Sequence, residues 1–211
     1  MKKALVFSLL FLVVGGGCVY ANGVQVGIKG GGNVGWLSGS DWEDELADYD
    51  GSNRCKFGFT FGLFFDLPLA RFLSIQPEVL FGNGGGGYTY TDTGIDFKGK
   101  IIVNSLKIPL YVKPKFHTGS GFFYLVAGPD LVLVLGDMKN KKSASGISVS
   151  AGIEPDNSFL LGVAGGIGYT FSNGVLIEVT YNRTLTEVFE NDDTRFNGVV
   201  FMMGYTSSLN R

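Results

Sequence analysis

The chain has 211 residues, enough for one domain, with 45% hydrophobic side chains, 33 glycines and a net charge of −2 at pH 7. A mildly acidic chain lacks the basic face that nucleic-acid binding requires, so no nucleic-acid partner is expected. The longest apolar stretch after the first residues, residues 122–136, contains Pro129 and Asp130, which argues against a transmembrane helix there.

Residues 1–21 have the pattern of a secretory signal peptide. Lys2 and Lys3 precede an apolar run over residues 4–14, and Val19-Tyr20-Ala21 is a small-residue cleavage site. Cleavage would leave residues 22–211 as a single domain with a net charge of −4 and one cysteine, Cys55, which excludes an internal disulfide. A lipoprotein signal with Cys18 as the lipidated residue stays open as the alternative.

Eight strand-length segments follow, each with an apolar face and a face of glycine, polar and charged residues. Side chains alternate across a strand, so in residues 175–184 Ile177 and Val179 point one way while Glu178 points the other. No helix is predicted in this part of the chain. In chain order, the predicted strands are residues 24–36, 56–66, 72–81, 102–116, 122–136, 159–171, 175–184 and 196–206.

The connections between these segments alternate in length. Residues 68–71, 117–121 and 172–174 form short turns, the last of the Asn-Gly kind that suits a hairpin. Long polar loops are predicted at residues 38–54, 82–98, 137–157 and 187–194. Short turns on one side and long loops on the other are typical of an all-β, eight-stranded antiparallel up-and-down transmembrane β-barrel in the bacterial outer membrane, with its apolar face towards lipid.

Several short motifs resemble the PorT-like outer-membrane β-barrel family. In order they are SIQPEVLF (74–81), LKIPLY (106–111), AGP (127–129), GGIGY (165–169) and EVTYN (178–182). The resemblance extends over the whole chain after residue 21. It implies an eight-stranded barrel in the outer membrane of diderm bacteria, in a family whose members mostly have no assigned activity.

The inner face of such a barrel would carry charges of both signs in a space just wide enough for side chains. The inward set is Lys29, Lys56, Glu78, Lys107, Lys113, Asp130 and Glu178. One hypothesis is a network of paired side chains that fills the lumen, and the other is a narrow solute path lined by Lys107, Lys113 and Lys115 that favours anions. An ion pair between Glu78 and Lys107 is predicted because their strands are hairpin neighbours.

The first long loop is acidic, with Asp41, Glu43, Asp44, Glu45, Asp48 and Asp50, whereas residues 139–142 of the third loop are basic. Because loops on a rigid scaffold commonly carry recognition, these exposed loops predict a structural or surface-interaction role. The expected partners are outer-membrane lipid and an unidentified extracellular ligand or host-surface partner, with the protein itself monomeric. A small-solute channel and a soluble lipocalin-like carrier remain as alternatives.

No enzymatic activity, cofactor or metal site is predicted. The chain has one histidine, His117, in a predicted turn, and a serine nucleophile needs a base beside it. One histidine and one cysteine cannot build a zinc site, and the acidic loop lacks the ligand spacing of a calcium loop.

Overall fold

Eight antiparallel strands close into a ring in the computed structural model, which describes residues 23–48, 50–92, 95–144, 147–155, 157–187 and 193–209. The predicted signal peptide and Cys18 lie outside these residues. The elements in chain order are β1 (Gln25–Ser38), α1 (Ser40–Asp48), β2 (Ser52–Arg54), β3 (Lys56–Ala70), β4 (Leu73–Asp92), β5 (Ile95–Thr118), β6 (Gly121–Val134), β7 (Met138–Ala144), β8 (Ile147–Ile153), β9 (Phe159–Phe171), β10 (Val175–Thr184) and β11 (Arg195–Ser208).

The ring runs β1–β3–β4–β5–β6–β9–β10–β11 and returns to β1. Closure is made by β1, in which Gln25 lies opposite Asp66 of β3 on one side and opposite Ser208 of β11 on the other. A closed ring leaves none of its own strands with an open edge. The predicted eight-stranded antiparallel barrel is confirmed.

The predictions of two long loops are wrong, because strands continue through both regions. β4 and β5 pair up to the register Asp92 to Ile95, so the region predicted as a glycine-rich loop at residues 82–98 is a long hairpin. Within residues 137–157, β7 and β8 form a second hairpin, and β7 pairs with β5. With β2, which pairs with β4, these segments build a five-stranded sheet beyond the ring, in the order β2–β4–β5–β7–β8.

The first long loop also contains an element that was not predicted, the nine-residue helix α1. The backbone N–H and the hydroxyl of Ser40 both donate to Asp193 Oδ2 at 3.0 Å, which holds the start of the helix. Trp42 and Leu46, four residues apart, lie on one face and pack into the barrel mouth. Among the described residues, no helix has the length and hydropathy needed to span a bilayer.

The apolar face of the barrel points outward. Outward side chains remain largely exposed, as for Phe57 at 79%, Ile28 at 61% and Met203 at 65%, while Lys29 and Glu178 are almost completely buried. A soluble eight-stranded carrier needs the opposite arrangement, with apolar residues inside. The lipocalin-like alternative is therefore wrong.

The two ends of the barrel differ. The short connections β3–β4, β5–β6 and β9–β10 share one end, here called the turn end. The other end, the loop end, carries α1, β2, β7 and β8 together with the extended hairpin of β4 and β5.

If lipid covers the outer face, an arginine there should cost stability according to its depth. Phe61 lies near the middle of β3 and Phe57 lies at its loop end, and both point outward. We expect Phe61→Arg to lower the free energy of unfolding by about 2–4 kcal/mol and Phe57→Arg by about 0–1 kcal/mol. Urea unfolding of the refolded protein in phospholipid vesicles measures both, and equal costs would contradict a lipid-facing outer surface.

Candidate functional site

A buried lysine bridges the lumen near the turn end. Lys29 on β1 places its Nζ 2.6 Å from Glu78 Oε1 of β4 and 2.5 Å from Glu178 Oε1 of β10. All three side chains are at most 1% exposed. One ammonium group thus joins three strands that come from different parts of the chain.

A second group of charges continues this bridge towards the turn end. Asp66 of β3 pairs with two lysines of β5: it accepts a hydrogen bond from Lys115 at 2.7 Å and forms an ion pair with Lys113 at 2.9 Å. Gln76 links the two groups, because its Nε2 donates to Glu78 at 2.5 Å while its Oε1 accepts from Lys113 at 2.6 Å.

We call the resulting set the lumen network: Lys29, Asp66, Gln76, Glu78, Lys113, Lys115 and Glu178. It contains three cations and three anions, so its formal charge is zero. Burying an isolated charge is very costly, whereas paired and hydrogen-bonded charges offset most of that cost. The network therefore fills the space with groups that compensate one another.

Aromatic rings complete the packing around the lumen network. The Tyr124 hydroxyl donates to Glu178 Oε2 at 3.1 Å, and its ring centroid lies 4.0 Å from Lys113 Nζ. Phe64 lies between the two buried lysines, 5.7 Å from Lys29 Nζ and 5.9 Å from Lys113 Nζ. Desolvated cations gain from such contacts with ring faces.

Inner glycines give these rings their space. At three places an inward aromatic residue lies directly opposite a glycine on the next strand, and a Cβ on that glycine would come within 2.1–2.3 Å of the ring. The pairs are Phe64 with Gly27, Tyr124 with Gly168, and Tyr88 with Gly99. In these positions glycine is required by the close approach of a side chain.

A small cavity with polar and apolar walls lies above the lumen network, towards the loop end. Its volume is about 80 Å³, which accommodates a few water molecules and is far below the size of an ordinary ligand pocket. Asp130 and Asn182 line it, with Asn182 Nδ2 3.4 Å from Asp130 Oδ2. The other oxygen of Asp130 and the oxygen of Asn182 have no protein partner, so they are groups that water in the cavity would satisfy.

An apolar cluster packs at the loop end, above the cavity. Its buried members are Leu37, Leu46, Tyr88, Ile101, Val103, Val132, Val134, Met138 and Leu160. Trp42 of α1 packs edge-on against Tyr88, with ring centroids 5.4 Å apart at 82°. Leu46 and Met138 come from α1 and β7, so elements outside the ring supply part of this cluster.

The predicted inward residues lie in different layers of the lumen. Lys29, Glu78, Lys113 and Glu178 belong to the lumen network, and Asp130 borders the cavity. Lys107 is half-buried and also borders the cavity. Lys56 is mostly buried, and its Nζ donates to Asn83 Oδ1 at 2.8 Å.

The predicted ion pair between Glu78 and Lys107 is wrong. Lys107 lies opposite Leu80, one inward position nearer the loop end, and Glu78 is paired with Lys29 across the lumen. Asp66 was not predicted to lie in the lumen, although it lies an even number of residues from Lys56 on β3 and therefore points to the same side. Its alternation with outward Phe65 was the signal that could have identified it.

The acidic residues lie at the loop end, on and after α1. Glu43, Asp44, Asp48 and Asp50 are exposed, whereas the side chains of Asp41 and Glu45 lie outside the described part of the structure. His117 is exposed near the turn end, with its ring centroid 5.5 Å from that of Phe122. The described residues contain no group of three His, Cys, Asp or Glu side chains that could hold a metal ion.

The family model for an outer membrane protein beta-barrel domain matches residues 17–190. The chain belongs to this family, and its location is the bacterial outer membrane. No curated protein matches the chain.

Several solved structures of small outer-membrane barrels are similar in overall shape. Ail, the attachment invasion locus protein of Yersinia pestis, is 13% identical and aligns over 87% of this chain and 98% of its own, with a TM-score of 0.44. The outer membrane protein OprG from Pseudomonas aeruginosa is 12% identical over 88% and 96%, with a TM-score of 0.45. The outer membrane enzyme PagL is 14% identical over 88% and 99%, with a TM-score of 0.42. Likenesses at this level carry no information on function.

Removing the central cation should be more harmful than removing the whole charged triplet. Lys29→Met leaves Glu78 and Glu178 buried without their cation, and we expect a loss of about 3–5 kcal/mol in the free energy of unfolding. Adding Glu78→Gln and Glu178→Gln should recover most of this loss.

Urea unfolding in vesicles measures these variants. The control is Lys142→Met, which removes an exposed lysine of β7 and should change the free energy of unfolding by less than about 0.5 kcal/mol. A triple variant less stable than Lys29→Met would show that the charges do not compensate one another.

The glycine opposite Tyr124 should be intolerant of even one methyl group. In Gly168→Ala the new Cβ would overlap the tyrosine ring, so we expect a loss of about 1–3 kcal/mol. Gly84→Ala is the matched control on the inner face, since a Cβ there has nothing within 4 Å. Unfolding of both variants in vesicles checks this, and an equal effect of the two would refute the close-packed lumen.

Proposed function

We propose that this protein is a closed outer-membrane barrel with a structural or surface-interaction role, and that it conducts no solute through its lumen. The observation that carries the proposal is the bridge from Lys29 to Glu78 and Glu178, which crosses the lumen and joins three strands of the ring. The apolar cluster at the loop end supports it as a second barrier. The ion-selective path along Lys107, Lys113 and Lys115 is the competing hypothesis.

In this proposal the loop end faces outside the cell and the turn end faces the periplasm. Short turns at the periplasmic side and longer outer segments are the usual arrangement of bacterial outer-membrane barrels. Residues 1–21 would serve as the signal peptide that directs the chain for export, and residues 22–211 would form the mature protein.

The interaction surface would be the structured part of the loop end. The sheet β2–β4–β5–β7–β8 holds its side chains in fixed positions by strand pairing, which suits recognition better than a flexible loop does. Acidic side chains on α1 and lysines on β7 give this end regions of opposite charge. The expected partner is an extracellular ligand or host-surface molecule, still unidentified.

We also propose that the chain belongs to the PorT-like outer-membrane family within the wider barrel family, which motifs such as SIQPEVLF (74–81) and LKIPLY (106–111) favour. A monomer is proposed because the ring is closed by its own strands. A non-enzymatic role is proposed because His117, the one histidine of the chain, lies exposed at the turn end rather than beside a buried nucleophile.

Liposome swelling with purified, refolded protein tests the closed lumen. Vesicles that contain the protein should swell in small-solute solutions no faster than empty vesicles, because in this proposal the lumen network blocks the passage of solutes. Rapid swelling that Lys107→Ala abolishes would overturn the proposal and establish the channel.

Epitope tags test the orientation. A tag inserted between β7 and β8 should bind antibody on intact cells, because this hairpin lies at the loop end. The control is the same tag in the turn between β9 and β10, which should bind only after the outer membrane is permeabilised. The reverse pattern would contradict the proposed orientation.

A further inference from the structure

The sheet beyond the ring has one strongly basic face. Lys100 lies directly opposite Lys141 of β7 and opposite Gly87 of β4, which in turn lies opposite Arg54 of β2. Paired residues, and residues two apart on a strand, point to the same side of a sheet. By this register the outward side carries what we call the basic face: Arg54, Lys98, Lys100, Lys139 and Lys141.

The five cations of the basic face are exposed and available to a ligand. Within the described part of the chain, none of them forms an ion pair. The acidic side chain on the same side of β5 is Asp96, which accepts a hydrogen bond from Thr91 at 2.9 Å. Like charges held this close repel one another, so the arrangement is unfavourable unless anions bind there.

The basic face lies on the loop-end side of the apolar belt, which is the band of outward apolar side chains that faces lipid. On β5 the outward side chains from Phe116 to Leu106 are apolar, and at about 3.3 Å per residue and a tilt of about 40° they cover about 25 Å of height, the thickness of the belt in such barrels. Lys139 is opposite Ile102 and Lys100 follows on the same side of β5, so the basic face begins within about 10–15 Å of Leu106. This is the layer of lipid headgroups.

At the same height, the opposite wall of the barrel carries outward aromatic side chains and no comparable cluster of lysines among the described residues. Trp36 and Tyr181 face outward there, with ring centroids 6.2 Å apart. Arg195 on that side is within 3.8 Å of Asp193, and Arg183 is exposed. Among the described residues, this cluster of cations without an ion pair is therefore confined to the wall formed by β2, β4, β5 and β7.

We propose that the basic face binds the phosphate groups of outer-leaflet lipid headgroups. The position of the basic face favours a lipid over a soluble anion. The outward surface of the barrel continues without a break from the apolar belt to these cations. Long lysine side chains can bury their stems near the belt and place their ammonium groups among phosphates. The inference rests on the orientation proposed above, with the loop end in the outer leaflet.

Binding of diphosphorylated lipid A to the purified protein in a neutral detergent tests this inference. Each cation near an anionic lipid surface contributes about fivefold in affinity, so Lys100→Gln/Lys141→Gln should weaken binding roughly 25-fold. The control Lys142→Gln/Arg183→Gln also removes two positive charges, one from the other face of β7 and one from the opposite wall of the barrel. It should weaken binding less than about twofold. Heat-dependent gel mobility verifies that both variants are folded.

Three outcomes would overturn the proposal. Equal weakening by both double variants would mean that binding follows overall charge. Equal affinity for dephosphorylated lipid A would mean that phosphate is not recognised. Displacement of the lipid by inorganic phosphate at the same concentration would assign the face to a free anion. None of these outcomes alters lumen closure or orientation, which liposome swelling and tag accessibility report separately.

Discussion

The structure depends on pairing buried charges inside a barrel whose outside is apolar. Lipid offers no hydrogen bonds, so the backbone must close into a ring and ionised side chains must turn inward. Eight strands leave little room, and each inward charge needs a partner within reach. Lys29 meets this need by binding Glu78 and Glu178 at once, and Asp66 meets it by forming ion pairs with Lys113 and Lys115. The compensation is mutual, which makes the lumen network a single unit.

Around this unit the lumen is layered. Charged and aromatic side chains occupy the turn end, a small cavity follows, and an apolar cluster packs at the loop end. Glycines opposite Tyr124 and Phe64 let the rings lie flat against the neighbouring strand. In the proposed closed barrel, the outer surface and the loop-end sheet are the places where this protein would contact other molecules.

Strand positions and faces could be predicted from the sequence because alternation is local, and Ile177, Glu178 and Val179 carry it within three residues. Cross-lumen pairing could not, since the contact of Glu78 with Lys29 depends on the closure of the ring and not on hairpin adjacency. Glycine-rich residues 82–98 resemble a loop, yet Gly85 has a φ of +130° and lies in a strand where Ile101 approaches. The helix α1 is short, and Trp42 with Leu46 was its one periodic signal.

The central claim is that outward side chains meet lipid while inward ones are packed away from water. Spin labels at Ile177, Val179 and Thr180 of β10, one per variant with Cys55→Ser, test it in reconstituted vesicles. Relaxation by oxygen reports lipid, and relaxation by a water-soluble nickel chelate reports water. Ile177 and Val179 point outward and Thr180 inward, so the account predicts that labels at positions 177 and 179 respond to oxygen and that the label at position 180 responds to neither agent. Relaxation of the label at position 180 by the nickel chelate would reveal a water-filled lumen and contradict the account.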